Sequence, residues 1–177
     1  ASIAAVAQVE MITKRAEVEV ANKIIIEGNK IISQEAVQAP VGTSIAIKNL
    51  FFNIPARRTF LKSNDVEKKH AYEEFNRLAL SHPHIKFQLL HNVELIHHLE
   101  AATLKSRVVS VFRNDLSKRL LAVEEITDKL KISGLVGTPE QARKTRGDQY
   151  LFVNNRFIKS ALLNHAIVSA FDKIISS

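Results

Sequence analysis

A glycine and two hydroxyl residues, Gly42-Thr43-Ser44, lead directly into a stretch in which apolar and polar residues alternate. Gly42 can adopt backbone conformations that other residues resist, and Thr43 places a hydroxyl group beside it. Such a pair at the start of a strand can border a bound phosphate. It can also simply make a turn, and the residues alone favour the turn because turns that combine glycine with a hydroxyl residue are common.

Two arginines follow in the segment 49–61. Pro55 cannot continue a strand, so it predicts a bend in the chain at that point. Arg57 and Arg58 then lie just past the bend, with Lys62 one turn later if a helix follows. This placement exposes two guanidinium groups on a short connection.

A second basic cluster surrounds the predicted strand Gln149–Val153 and the turn Asn154-Asn155. Its basic residues are Arg143, Lys144, Arg146, Arg156 and Lys159. Guanidinium groups on loops suit bidentate contact with phosphate, and contacts with a nucleic-acid backbone carry no base specificity. The alternative is a solvated loop surface.

The charge of the chain is distributed unevenly. The 177 residues have a formal net charge of +7. Residues 1–100 contribute +1 of it and residues 101–177 contribute +6. A basic second half favours a polyanionic partner, with nucleic acid ahead of a membrane surface, although surface charge that only confers solubility is the alternative.

Several kinds of chemistry are excluded by what the sequence lacks. There is no cysteine, so disulfides, thiol catalysis and cysteine-based zinc sites are ruled out. Neither common phosphate-binding glycine motif occurs, and no nucleophile elbow or zinc-protease motif occurs. His82 and His84 would share one face of a strand, but without clustered carboxylates they do not predict a metal site. No catalytic residue and no metal ligand is predicted.

The compartment is predicted to be cytoplasmic, since residues 1–20 lack a signal pattern. The longest uncharged runs have twelve residues. Such runs are too short to span a bilayer, so no membrane partner is expected.

The elements that must position these residues follow an α+β pattern. Small apolar residues at positions 1–7 predict a helix that looks cut from a longer one. Hydrophobic alternation predicts an antiparallel sheet, with a two-residue hairpin turn at Gly28-Asn29. Its strands are 9–13, 23–27, 30–33 and 44–48.

Beyond residue 63 the predicted order is helix, two strands, helix, strands and a final helix. Asn64 and Glu67 form a capping-box pattern that starts the first of these helices, and Pro83 ends it. The later elements are strands 85–90 and 93–99, a helix from 104, strands near 120–123, 130–136 and 149–153, and a helix that opens at Ser160. The small residues at 100–103 mark the predicted boundary between two domains.

The run Gly42–Leu61, GTSIAIKNLFFNIPARRTFL, resembles the signature of the MutL family of DNA mismatch repair proteins, and its PAR-R-x-F-L ending is specific to that family among related ATPases. The segments Leu78–Leu89 and Arg146–Ile167 resemble two further passages of the family. Ala1–Val6 is similar to the residues that follow the family's glycine-rich ATP lid. The resemblance therefore covers nearly the whole chain.

This resemblance implies a fold and a division into two domains. Residues 1–100 would be the C-terminal part of a GHKL-type ATPase domain, an α/β sandwich. Residues 101–177 would be most of a second, transducer-like α+β domain, which resembles domain two of a ribosomal small-subunit protein. That second domain is expected to be incomplete at its C-terminal end.

The resemblance also implies a function. MutL proteins bind and slowly hydrolyse ATP, dimerise with ATP bound, and bind DNA largely without sequence preference. They relay mismatch detection by a MutS-type sensor to strand cutting, which a separate nicking endonuclease or their own C-terminal domain performs. Gly42 and Thr43 match the family's last nucleotide-site motif. The DNA-contact candidates that fall in family segments are Arg57, Arg58, Arg146, Arg156 and Lys159. Arg143 and Lys144 of the second basic cluster are added to them as candidates. Ala161 stands where relatives place an arginine.

Three motifs of the family are absent from these 177 residues. They are the Glu-x-x-x-Asn motif of the general base and Mg²⁺ ligand, the Asp-x-Gly adenine motif and the GFRGEAL lid. ATP and Mg²⁺ are therefore expected as cofactors of a longer, nucleoid-associated parent, with none bound to this fragment, which is not expected to hydrolyse ATP alone. A non-enzymatic nucleic-acid-binding module is the alternative function. The NIPARRTF bend argues against a third reading, a type II topoisomerase subunit.

Overall fold

The computed structural model describes residues 2–112, 117–141, 149–171 and 174. By its internal contacts the chain divides into two compact units, Ala1–Glu67 and Lys68–Ser177. The fold is a mixture of helices and strands, as the sequence predicts. Among the described residues, no helix combines the length and the apolar character needed to cross a membrane.

The first unit is built on one antiparallel sheet with the strand order β3-β2-β1-β4. Its strands are β1 (Gln8–Lys14), β2 (Ala21–Glu27), β3 (Lys30–Val37) and β4 (Gly42–Lys48). A short helix α1 (Pro55–Thr59) follows the last strand, with proline in its first turn. The four predicted strands and their antiparallel pairing are confirmed.

The turn between β2 and β3 follows directly from the sequence. Gly28 has a φ of +54° and Asn29 a φ of +71°. A two-residue hairpin needs positive φ at both positions to match the twist of the strands, and glycine and asparagine tolerate it best. Glu27 pairs with Lys30 across the turn, so the predicted hairpin is confirmed.

The helix predicted over residues 1–7 is wrong. The chain forms only one turn of 3₁₀-helix, Ile3–Ala5, and enters β1 at Gln8. The carbonyl oxygens of this turn accept hydrogen bonds from distant residues instead of from a continuing helix. The N–H of Asn29 donates to Ala4 over 2.9 Å, and the N–H of Phe51 donates to Val6 over 2.7 Å.

The second unit contains most of one long helix and three hairpins. Its elements are α2 (Asn64–Ser81), β5 (Phe87–His91), β6 (Glu94–Leu99), α3 (Leu104–Phe112), β7 (Leu120–Ile126), β8 (Lys131–Gly137), β9 (Leu151–Val153), β10 (Arg156–Ile158) and α4 (Ala161–Phe171). Within the described residues, β5 pairs with β6, β7 with β8 and β9 with β10, each antiparallel and each a separate two-stranded sheet.

The cap of α2 lies one residue earlier than predicted. The helix begins at Asn64 itself, and the carbonyl of Ser63 accepts the first helical bond from the N–H of Glu67 over 3.0 Å. The Glu67 carboxylate accepts a hydrogen bond from the N–H of Lys62 over 2.9 Å. Ser160 does cap α4, because its Oγ accepts from the N–H of Leu163 over 3.3 Å.

The hydrophobic core of the second unit gathers residues from widely separated parts of the chain. Its buried members are Ala79, Leu80, Leu99 and Val111. Half-buried side chains packed around them are Phe75, Phe87, Val108, Phe112, Tyr150 and Phe152. This core includes residues on both sides of position 100, and the predicted division into domains 1–100 and 101–177 stays a prediction.

Candidate functional site

Gly42, the first residue of β4, has a backbone conformation that favours glycine. Its φ is +133°, a region that residues with a side chain rarely adopt. A Cβ atom built at this position would meet nothing within 4 Å. The backbone angle, rather than lack of space, therefore explains the glycine.

Thr43 lies next to Gly42 and is exposed. It is the cross-strand partner of Thr13 on β1, and the two Oγ1 atoms lie 2.8 Å apart in a hydrogen bond. The start of β4 therefore combines the positive φ of Gly42 with the exposed hydroxyl of Thr43. Beside it lies the hydroxyl of Thr13, a residue that the sequence did not single out. The sequence signal for Thr13 is weak: alternation along β1 places it on the same face as Val9 and Met11, and it indicates no contact with Thr43.

The sheet face that carries the two threonines is otherwise apolar along β1 and β4. Register pairs Met11 with Ile45, and Val9 with Ile47, on the same side as Thr13 and Thr43. Ile45 is 59% exposed and Ile47 is 49% exposed. Within the described residues, this face is therefore open, with hydroxyl groups at the end where β4 begins.

The predicted arginines Arg57 and Arg58 both lie on α1 and both are exposed. The connection that leads to them is held by hydrogen bonds to residues near the start of the chain. The Asn53 side-chain amide donates to the carbonyl of Ala5 over 2.9 Å, next to the bond from Phe51 to Val6. Phe51 has a φ of +61°, a conformation that is uncommon for a bulky residue.

A chain of side-chain hydrogen bonds crosses the sheet at the base of that connection. The Asn49 amide donates to Gln8, and Gln8 Nε2 donates to Glu27 Oε1 over 3.0 Å. Asn49 directly follows β4, while Gln8 belongs to β1 and Glu27 to β2, so the bonds tie the exit of β4 to the rest of the sheet. The two arginines are thereby placed on a defined connection rather than on a free loop.

In the second unit, Arg156 is the first residue of β10 and Lys159 directly follows the last one, and both are exposed. The turn before Arg156 is Asn154-Asn155, with φ values of +49° and +61°. The remaining predicted contacts, Arg143, Lys144 and Arg146, lie outside the described residues.

Aromatic contacts hold this hairpin on α2. The Arg77 guanidinium lies over the Phe157 ring at 4.2 Å from its centroid. The ring of Phe157 is 5.9 Å from that of Phe152 and 6.2 Å from that of Tyr150. Since Phe157 follows Arg156 directly, its packing fixes the backbone that carries the exposed arginine.

Arg107 on α3 is a buried charge that the sequence analysis did not single out. It is 1% exposed, and its Nη2 lies within hydrogen-bonding distance of the carbonyl oxygens of Pro83 (2.8 Å), Glu100 (2.9 Å) and Ile85. Its guanidinium lies 5.4 Å from the Phe87 ring centroid. Burial lowers the pKa of Arg107 from its ordinary value. Arg107 joins the segment before β5 to the segment after β6.

The histidines do not form a metal centre with other described residues. The rings of His82 and His84 lie 6.0 Å apart, and His82 Nδ1 is hydrogen-bonded to Ser81 Oγ at 2.8 Å. Among the described residues, no group of three or more histidine, aspartate or glutamate side chains could hold a metal ion.

Comparison with solved structures identifies the class of fold. The ATPase domain of Aquifex aeolicus MutL complexed with ADP aligns with a TM-score of 0.79 and 26% sequence identity, over 95% of this chain and 65% of that chain. The N-terminal domain of a DNA repair protein aligns with a TM-score of 0.81 over 98% of this chain and 58% of that chain. Its sequence identity is 18%, so it supports the fold alone. The chain has the fold of a DNA repair ATPase region.

Sequence comparison then gives the family. A family model described as "DNA mismatch repair protein, C-terminal domain" matches residues 108–177. The DNA mismatch repair protein MutL of Christiangramia forsetii is 49% identical over 175 residues, and that of Bacteroides fragilis is 47% identical over 175 residues. The chain belongs to the MutL family of DNA mismatch repair proteins. Each match covers 99% of this chain. The chain itself spans only 28% of the length of each of these two relatives.

Proposed function

We propose that this chain is the segment of a MutL-type mismatch repair protein that carries part of the nucleotide site and part of the DNA-binding surface. The whole protein would act as an ATP-gated, dimeric matchmaker that binds DNA without sequence preference. It would couple mismatch recognition by a MutS-type sensor to strand incision by a nicking endonuclease or by its own C-terminal domain. The observation that carries this proposal is the 49% identity over 175 residues to a MutL protein.

The nucleotide part of the proposal is supported by the end of the sheet where β4 begins. Gly42 keeps the backbone there free of a side chain, and the Thr43 hydroxyl is exposed. The described residues offer no three-ligand cluster for Mg²⁺, so they do not fit that ion by themselves. The groups that hold it and activate water must come from elsewhere in the parent, and no hydrolysis is assigned to this chain alone.

The DNA part is supported by four exposed cations of the two units. Arg57, Arg58, Arg156 and Lys159 are exposed, and none of the four forms an ion pair with another described residue. Free guanidinium and ammonium groups on helix and hairpin ends bind phosphate and release counterions, which makes affinity depend on salt.

The experiment is the affinity of the whole protein for duplex DNA as a function of salt, followed by fluorescence anisotropy between about 50 and 200 mM salt. Replacing Arg156 with Ala, or Arg146 with Ala, is expected to reduce the slope of log affinity against log salt by about one. Lys131→Ala is the matched control because Lys131 is already paired with Glu124 at 2.6 Å. For Lys131→Ala, the slope of log affinity against log salt is expected to equal that of the unchanged protein.

Binding that does not depend on salt, or no binding at low salt, would contradict the DNA part of the proposal. Adding ADP and ATP to the same titrations tests the alternative function. A salt-dependent DNA affinity in a protein that binds neither nucleotide would favour the non-enzymatic nucleic-acid-binding module.

A further inference from the structure

The β1–β4 pair places a second hydroxyl in contact with the proposed nucleotide-site threonine. Thr13 and Thr43 lie opposite each other on adjacent antiparallel strands, and their Oγ1 atoms are 2.8 Å apart. Each hydroxyl has one proton and two lone pairs. Whichever threonine donates in this bond, the other keeps its proton, so the pair presents one donor and several lone pairs to a ligand.

The surroundings of the pair do not fix the Thr43 side chain by packing. Thr43 is exposed, at the start of the strand that forms one edge of the described sheet. A threonine side chain has three staggered χ1 positions, and packing usually selects among them in a protein interior. At this exposed position, the hydrogen bond between Thr43 and Thr13 favours one of these positions.

We infer that Thr13 is a positioning residue: it holds the Thr43 hydroxyl in the orientation that binds an adenine nucleotide. This inference rests on the proposed nucleotide site at Gly42 and Thr43. Thr13 acts through Thr43, so its effect on the nucleotide depends on Thr43 being present. A threonine pair that only stabilises the sheet, as cross-strand pairs commonly do, would affect folding and not binding.

The test is the dissociation constant of ADP for the whole protein, measured by isothermal titration calorimetry. Thr13→Val keeps the branched shape and removes the hydroxyl, and it is expected to weaken ADP binding by about three- to tenfold. Thr13→Ser restores a hydroxyl and is expected to bind ADP like the unchanged protein. The double variant Thr13→Val/Thr43→Val is expected to bind no more weakly than Thr43→Val alone, because coupled residues are not additive.

Ser44→Ala is the matched control. Ser44 follows Thr43 directly, and its partner in the register is Ile12 rather than Thr13, so it faces the other side of the sheet. Its loss is expected to leave ADP affinity unchanged. Circular dichroism at the temperature of the titrations checks that every variant is folded.

Three results would overturn the inference while leaving the nucleotide site in place: unchanged ADP affinity in Thr13→Val, no recovery in Thr13→Ser, or additive losses in the double variant. A different result separates the two proposals. If the unchanged protein does not bind ADP, the nucleotide part of the proposed function fails, and the role of Thr13 fails with it.

Discussion

The two compact units of this chain are ordered by different interactions. In the first unit, one four-stranded ladder of hydrogen bonds places the candidate residues, and the buried hydrophobic residues among those described are the small side chains Ala4, Ala7 and Ala21. In the second unit the described strands occur as three separate hairpins. Its order comes from larger buried side chains, including Leu80, and from the buried Arg107.

This difference indicates which kind of substitution should destabilise each unit most. A sheet with few large buried side chains depends on backbone conformation and register, so a change in allowed φ should matter most in the first unit. A unit held by packing and by a buried guanidinium depends on individual side chains, so removing one of them should matter most in the second.

The largest effect is expected from Arg107→Ala. The change removes the guanidinium donor from the carbonyls of Pro83, Ile85 and Glu100, although the Pro83 carbonyl still accepts from the N–H of Ala102. Hydrogen bonds to a charged group contribute about 1.5–3 kcal/mol each and are not additive, so we expect the free energy of unfolding to fall by about 3 kcal/mol. Urea denaturation measures it, and hydrogen exchange should show lost protection in α3 while the first unit's sheet keeps its protection.

Ser110→Ala is the control for that experiment because Ser110 is an exposed residue on the same helix. An exposed substitution of this kind changes stability by about 0.5 kcal/mol or less. If Arg107→Ala costs no more than Ser110→Ala, the buried guanidinium does not stabilise the second unit. If Arg107→Ala caused equal loss of hydrogen-exchange protection in both units, the two units would not depend on different interactions.

An intermediate effect is expected from Gly42→Ala in the first unit. At a φ of +133° an added side chain strains the backbone, which costs about 1–3 kcal/mol. Gly134→Ala in β8 is the matched control, since a Cβ there also meets nothing within 4 Å and no positive φ constrains the residue. Its stability is expected to change by less than about 1 kcal/mol. Similar losses for the two variants, by thermal or urea unfolding, would contradict the importance of backbone conformation in the first unit.

The smallest effect is expected at the exposed carboxylate of Glu100. A hydrogen bond from Lys86 is the largest cause that lowers the pKa of Glu100, and a hydrogen bond from His98 lowers the pKa further. Because the folded-state pKa is lowered, the carboxylate stabilises the fold above its ordinary pKa. That contribution disappears as the pH falls through the lowered value.

Lys86→Met is expected to raise the pKa of Glu100 toward its ordinary value, and His98→Asn to raise it by less. An NMR titration of the Glu100 side-chain carboxyl carbon measures both shifts. A larger rise in His98→Asn than in Lys86→Met would reverse the order of the two contacts, whose distances to Glu100 Oε1 are both 2.8 Å.

Much of the local structure was predictable because its causes are local. Gly28-Asn29 specifies the first hairpin, α2 ends at Ser81, two residues before Pro83, and Ser160 caps α4. The candidate residues Gly42 and Thr43 came from a family motif, and the structure places both on the edge strand. Their role in nucleotide binding stays a prediction, as do the DNA contacts at Arg57, Arg58, Arg156 and Lys159.

The errors and omissions have a common physical cause. Residues 1–7 predicted a helix because alanine favours one, but hydrogen bonds with Asn29, Phe51 and Asn53 replace the helical bonds. Nothing in the residues next to Arg107 singled it out, yet it is 1% exposed because carbonyl groups 7, 22 and 24 residues away converge on it.

The sequence by itself determined the family, through its motifs. It also determined the α+β class and most strands and helices, because turns, caps and hydrophobic periodicity act between near neighbours. Only the tertiary structure decided that Thr13 meets Thr43 across 30 residues, that Arg107 is buried, and that the turn at Ile3–Ala5 fixes the connection to α1. Contacts between distant residues leave no periodic pattern along the chain. They exist only once register and packing have brought the partners together.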